Sequence, residues 1–306
     1  MSHAKSHAAS ALPLGEKTAG IPRTADYITL TKPRLNLLVL ITTLGGLYLA
    51  DPVTLPLPLV VHTLVGTALV AGSAAALNQV WERRTDRLMR RTAGRPLPAG
   101  RLGTAEATIF GLLLAAIGLA ELALQANVLT ALVAFATLAS YVLIYTPMKT
   151  RTSLATLVGA VPGALPPMIG WAAATGEITL PAWVLFGIVF FWQMPHFLAI
   201  AWLFRSDYAE AGIPLLPVLE PDGRRTGQQA LIYTAALWPV SLLPAVVGLA
   251  GAVYVTVATV LGLGFIVLSG AFARERSMTS ARRLFYYSIT YLPILWGTLV
   301  ADRFWF

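Results

Sequence analysis

The chain has 306 residues, 57% of them hydrophobic and only 12% charged, with a mean hydropathy of +0.70. That composition excludes a soluble domain and fits an all-α polytopic membrane protein. Cysteine is absent, so disulfides, thiolate metal sites and cysteine nucleophiles are excluded. The net charge of +8 lies in short segments between apolar runs, so no nucleic acid is expected as a partner.

Residues 1–25 lack the apolar core of a secretory signal and read as a disordered cytoplasmic tail. Residues 26–306 read as a single transmembrane domain. Nine runs are long enough to span the lipid bilayer, at about 35–50, 57–81, 104–124, 127–146, 153–174, 180–204, 229–249, 251–272 and 284–302. The first begins beside the amphipathic stretch Asp26–Arg34. The fifth carries Pro162, Gly163, Pro166 and Pro167 and is expected to be kinked or broken, which is tolerated where a helix lines a cavity or packs on neighbours. With nine spans and a cytoplasmic N-terminus, 21 of the 22 Lys and Arg fall in inside segments, leaving Arg303 at the outer C-terminus. The reactive side chains concentrate on the same inside face, so the active site is expected to face the cytoplasm, from a cell inner (plasma) membrane. Asp86 and Asp207 each follow an apolar run by a few residues, a weak hint of internal repetition.

The first chemical stretch runs from Asn78 to Thr92. Asn78, Glu82 and Asp86 recur every four residues. On a helix each such step overshoots a full turn by ~40° and rises ~6 Å, so the three oxygen-bearing side chains share one face. Two carboxylates with an amide suit Mg²⁺, which takes a few protein oxygens together with substrate phosphates. Arg83 and Arg87, among other arginines here, suit the phosphates. Gly94, Pro96 and Pro98 are expected to end this helix, and Arg95 is placed either to reach back to its mouth or to serve simply as a positive-inside residue. Lys149 and Arg151 sit in a very short inside loop, placed to clamp an anion or simply to anchor topology. Gln193 and His196 interrupt an apolar span three residues apart, where polar groups usually face the bundle interior or a cavity. Asp207 and Tyr208 follow just inside the membrane surface. Asn36 enters the bilayer after Lys32 and Arg34, which read as interfacial anchors, and is a candidate to line the same cavity. His62 reads as structural. Together these residues describe a site for an amphiphile with a diphosphate head and an apolar tail. No Walker-type or dinucleotide-binding glycine motif is present.

At Leu30–Arg34, Asn78–Leu97, Tyr145–Lys149, Val158–Trp171 and Trp192–Pro214, in this order and spacing, the chain resembles the UbiA superfamily of intramembrane prenyltransferases, and within it the branch that acts on haem. The resemblance implies nine helices around a central cavity and Mg²⁺-dependent transfer of farnesyl from farnesyl diphosphate. The acceptor would be the 2-vinyl group of haem B, with water addition giving haem O and diphosphate. It implies Asn78, Glu82, Asp86 and Asp207 as metal and catalytic residues. Arg83, Arg87, Arg95, Lys149, Arg151, Asn36, Gln193, His196 and Tyr208 would contact substrates. His196 would serve haem as an iron ligand or as a propionate partner. A downstream haem-modifying enzyme is a further candidate partner. Two positions depart from the superfamily pattern. Glu82 stands where Asp is usual, and Leu203 stands where a second acid would precede Asp207, which thins the second metal-binding half. A transporter of amphiphilic anions, a non-catalytic haem carrier, or a prenyltransferase with another acceptor would share parts of this pattern.

Overall fold

The computed structural model describes residues 23–51 and 53–305; the tail expected over 1–25 lies almost wholly outside them. Among the described residues the secondary structure is helical, and nine helices are long and apolar enough to cross a membrane. They are Pro33–Ala50, Leu57–Asp86, Thr104–Gln125, Val128–Met148, Ala155–Thr175, Leu180–Leu203, Arg224–Val246, Ala252–Glu275 and Met278–Arg303, called the first to ninth spans below. All nine expected runs are helices.

The departures have local causes. The amphipathic stretch does not flow into the first span. It forms its own helix, Arg23–Leu30, and the chain turns at Lys32, which takes a left-handed backbone (φ 48°, ψ 57°). Pro33 disfavours the right-handed helical conformation at the residue before it, and here that penalty is resolved as a corner. Asn36 closes the corner by donating Nδ2 to the Thr31 carbonyl at 2.6 Å. The second span ends at Asp86, earlier than its glycine and prolines suggest. Residues 87–102 then fold back through turns, with Thr92 donating Oγ1 to the Asp86 carbonyl at 2.9 Å. The fourth span changes pitch, Ser140–Tyr145 forming a π-helical turn. The fifth breaks between Ala164 and Pro166, where two adjacent prolines lack backbone donors.

The fifth and sixth spans form the centre: 67% and 61% of their most apolar eighteen residues are buried, against 28% for the third, seventh and eighth. The first span packs on the second half of the fifth, the second on the third, and the sixth on the seventh and ninth. Close backbone approach needs residues without a Cβ. A Cβ on Gly170 would lie 1.9 Å from the Thr43 carbonyl oxygen, and one on Gly46 would lie 2.0 Å from that of Pro167. Peripheral faces carry exposed Ile109, Leu113, Val253, Val260 and Val267, as a lipid-facing surface requires. At one end of the bundle the helix Arg23–Leu30 is tied down by an Arg101–Asp26 ion pair (2.9 Å). Gln79 adds to this by donating to the Leu30 carbonyl at 2.8 Å.

Candidate active site

The oxygen ladder closes the end of the second span. Asn78 and Asp86 are fully buried, and the Glu82 side chain is 11% exposed. Each rung is met by a cation from a different segment. Lys32 donates to Asn78 Oδ1 at 3.1 Å, Lys149 to Glu82 Oε1 at 2.6 Å, and Arg95 to Asp86 Oδ2 at 2.8 Å. The corner before the first span, the loop after the fourth and the fold-back after the second thus converge on one helix face. Lys149 also lies over the Tyr145 ring, 5.4 Å from its centroid.

Electrostatics distinguishes the two lysines. Burial opposes the charge on Lys149, but the facing Tyr145 and Glu82 outweigh it and hold the ammonium above its ordinary value. Burial, followed by the neighbouring Arg95 cation, pulls Lys32 down to about 8.

Asp86 carries the observation that bears on a metal. Its Oδ2 is paired, yet Oδ1 is buried with no hydrogen-bond partner among the described residues. A buried carboxylate oxygen left unpaired is costly. With Glu82 and Asn78 one and two turns away, the donor set is all hard oxygen and fits Mg²⁺. Among the described residues no three His, Asp or Glu side chains form a ready metal cluster.

The remaining expected residues divide. Asp207 and Tyr208 lie on the short helix Arg205–Glu210, both half-buried. Tyr208 and Leu215 pack against a small cluster of Met89, Ala211 and Ile213, which joins this segment to the loop after the ladder. Among the described residues Asp207 forms no ion pair. Arg83 is half-buried and bonded to the Val80 carbonyl. Arg87 is exposed and bonded to that of Pro98, and Arg151 is exposed. Asn36 is committed to the Thr31 carbonyl. Gln193 donates to the Ala160 carbonyl at 2.9 Å, tying the sixth span to the broken fifth. His62 pairs with Glu121 at 2.6 Å, toward the opposite end of the second span from the ladder.

His196 is held for presentation. Its ring stacks between Trp192 and Phe285, at 5.2 Å from each. Nδ1 lies 2.7 Å from Ser288 Oγ, and Ser288 donates its own proton to the Phe285 carbonyl at 2.6 Å. Ser288 therefore accepts from Nδ1–H, and in the neutral ring Nε2 keeps a free lone pair. Two surface concavities, about 420 Å³ beside Arg205 and Met278 and about 600 Å³ beside Tyr27 and Phe110, both lie away from the ladder.

The sequence reading missed Lys32, taken as an anchor, together with Thr146 and Ser288. A lysine immediately before a proline at the entry to a span was the available signal for the first. Nothing in the sequence flagged Ser288, which reaches His196 across 92 residues.

A model of the UbiA prenyltransferase family matches residues 39–292. The chain belongs to the UbiA prenyltransferase family. It is 48% identical over 287 residues to a protein of Solibacter usitatus named protoheme IX farnesyltransferase, covering 91% of this chain and 98% of that protein. A Myxococcus xanthus protein of the same name is 46% identical, over 95% of this chain and 99% of its own. Among solved structures, digeranylgeranylglyceryl phosphate synthase superposes with a TM-score of 0.80 at 15% identity, covering 94% of this chain and 100% of that one. A UbiA homologue from Archaeoglobus fulgidus bound to GPP and Mg²⁺ superposes with a TM-score of 0.62 at 15% identity, covering 90% and 99%. At that identity the structural likeness concerns the fold. The expected family and all-helical fold stand, and the chain is a multi-pass membrane prenyltransferase.

Proposed function

We propose that this chain transfers the farnesyl group of farnesyl diphosphate to the 2-vinyl group of haem B, with addition of water, giving haem O and diphosphate. The observation that carries this reading is the 48% and 46% identity to proteins named for that activity, over nearly the whole length of both partners. The paired ladder supports it from the chemical side.

Asn78, Glu82 and Asp86 would hold Mg²⁺, joined by Asp207 across the loop, and the ion would stabilise the departing diphosphate. Lys32, Arg95 and Lys149 stand within one side-chain length of the same groups and neutralise the diphosphate oxygens, with Arg83, Arg87 and Arg151 toward its outer side. Loss of diphosphate leaves an allylic farnesyl cation. The vinyl group attacks it, forming the new carbon–carbon bond and placing the positive charge on the carbon beside the porphyrin. Water adds there, and its proton leaves with the diphosphate. The stacked Trp192, His196 and Phe285 give haem an aromatic wall, and His196 Nε2 offers it a lone pair. Gln193, on the sixth span beside them, braces this wall against the fifth span through the Ala160 carbonyl. The cytoplasmic orientation of the site follows from the distribution of lysine and arginine, and a downstream haem-modifying enzyme would receive the product from the bilayer.

The test is purified protein in detergent with haem B, farnesyl diphosphate and Mg²⁺, followed by reverse-phase chromatography of the extracted haem with mass detection. The expected product elutes later and is heavier by a farnesyl group plus water. Diphosphate release with unchanged haem would move the acceptor elsewhere. Neither product, from folded protein, would refute the reading.

A further inference from the structure

The π-helical turn of the fourth span ends on Thr146, a residue with no role in the chemistry above. It is 3% exposed and faces Asn78, itself 1% exposed. A threonine in a helix ordinarily returns its hydroxyl to the carbonyl three or four residues back. Thr146 reaches five back. Its Oγ1 donates to the Tyr141 carbonyl at 2.8 Å, and its backbone N–H bonds the same oxygen. The wider turn makes this possible, because its closing bond skips one residue more than an α-helix allows. The hydroxyl proton is thus spent on Tyr141, so Thr146 Oγ1 can only accept from its other neighbour. That neighbour is Asn78 Nδ2, at 3.1 Å.

An amide can be rotated by half a turn without changing its shape, and the two orientations differ only in which atom faces which partner. Here one orientation alone is consistent. Turned over, Asn78 would set its oxygen against a hydroxyl with no proton to give and its amino group against the Lys32 ammonium, donor against donor. In the orientation present, Nδ2 donates to Thr146 and Oδ1 accepts from Lys32. We propose that Thr146 is a positioning residue that fixes the Asn78 amide with its oxygen toward Lys32 and the metal-binding face, using the Tyr141 carbonyl that the π-turn brings within reach of its hydroxyl as its anchor. This rests on the reading of Asn78 as a ligand in the proposed function. Residues that orient metal ligands typically matter by 10–100-fold in metal affinity.

The test measures Mn²⁺ binding to the purified full chain in detergent, from the electron paramagnetic resonance signal of free Mn²⁺, alongside the Mg²⁺ concentration needed for half-maximal diphosphate release. Thr146→Val keeps the shape and removes the acceptor; about tenfold weaker Mn²⁺ binding is expected. Thr146→Ser keeps the hydroxyl and should bind within about threefold of the parent, a rescue that a purely packing role for the methyl group would not give. The sharper check is Asn78→Asp, in which both terminal atoms are oxygen and orientation no longer matters. In that background Thr146→Val should lose most of its effect. Should Thr146→Val fail to fold, Thr146→Cys, a weak acceptor, carries the same comparison. Parent-like Mn²⁺ affinity in folded Thr146→Val, or an undiminished effect in the Asn78→Asp background, would overturn the inference. If instead Asn78→Ala binds Mn²⁺ as the parent does, the metal reading itself fails, and the positioning role goes with it.

Discussion

Removing Lys149 is the perturbation whose size the structure fixes best. The ammonium lies 2.6 Å from Glu82 Oε1, with side chains 22% and 11% exposed. Lys149→Met keeps the length of the stem and strips the charge, leaving Glu82 ionised and enclosed. Breaking a buried pair on one side costs about 3–5 kcal/mol, because the stranded charge has lost both water and partner. The comparison is Arg225→Met at the Arg225–Glu220 pair, also 2.9 Å or shorter but with Arg225 70% exposed, where the loss should stay within about 1 kcal/mol. The assay is the fraction of monodisperse protein surviving a temperature series in detergent without Mg²⁺. Lys149→Met should melt well below Arg225→Met. Glu82→Gln with Lys149→Met should recover much of the loss, since a neutral amide tolerates burial. Added Mg²⁺ should stabilise Lys149→Met more than the parent, because Glu82 is then free to bind it. Activity should not return with Mg²⁺, since the diphosphate still lacks its clamp; a fall of about 10²–10³ is expected. Equal melting of the two single variants would refute the reasoning, as would a double variant no better than Lys149→Met.

Asp86→Asn should raise the Mg²⁺ requirement and slow diphosphate release by about 10²-fold or more, while Asp207→Asn should also slow release but weaken binding of Mn²⁺ alone much less than Asp86→Asn does, since Asp207 stands off the ladder. An Mn²⁺ titration in which both weaken alike would place Asp207 among the resting ligands. His196→Ala should abolish the shift of the haem absorption band on adding protein without changing farnesyl diphosphate hydrolysis. Ser288→Ala, which frees the ring to change tautomer, should weaken the same shift several-fold; an unaltered spectrum in both would remove His196 from the haem site. Gly170→Ala puts a methyl 1.9 Å from the Thr43 carbonyl oxygen and 2.6 Å from the Leu47 backbone nitrogen, main-chain atoms that cannot swing aside. Almost no folded protein should be recovered by size-exclusion chromatography, and normal yield would show that the first and fifth spans are not held as closely as described.

The spans were legible because a membrane enforces length and hydropathy almost residue by residue. Asn78, Glu82 and Asp86 were legible as a group because they share one helix, whose periodicity is local information. Their partners were not. Lys32, Arg95 and Lys149 come from three separate connections, and which cation meets which rung depends on how the corner at Lys32 and the fold-back at 87–102 are closed. Arg95 follows the ladder by only nine residues, close enough for its sequence position to suggest a return to the ladder but equally consistent with a topology anchor. Gln193 and His196, three residues apart on one face, looked like a pair with a shared task. The helix carries them to different neighbours, one to the Ala160 carbonyl and one to Ser288. The π-turn was invisible because Ser140–Tyr145 reads as ordinary apolar span.

The resting pairing explains how a site built for anions can bury two acids. Without partners, Glu82 and Asp86 would face the full desolvation penalty at the end of an apolar bundle. Lys149 and Arg95 neutralise them, and Lys32, third of the cations, meets only the neutral Asn78. Two carboxylates against three cations leave one positive charge in excess, and Lys32 is the cation pulled down, by burial and by Arg95. A prenyl diphosphate trianion with one Mg²⁺ brings one net negative charge. Its arrival would balance the cluster, hand the carboxylates to the metal and turn the three cations toward phosphate oxygen. Farnesyl diphosphate without metal, or metal without diphosphate, would leave the cluster unbalanced in opposite senses. Binding of the two should therefore be strongly cooperative, and calorimetric titration of inorganic diphosphate with and without Mg²⁺ measures it. Equal diphosphate affinity in the two conditions would show that the ladder and its three cations do not act as one charge-balanced unit.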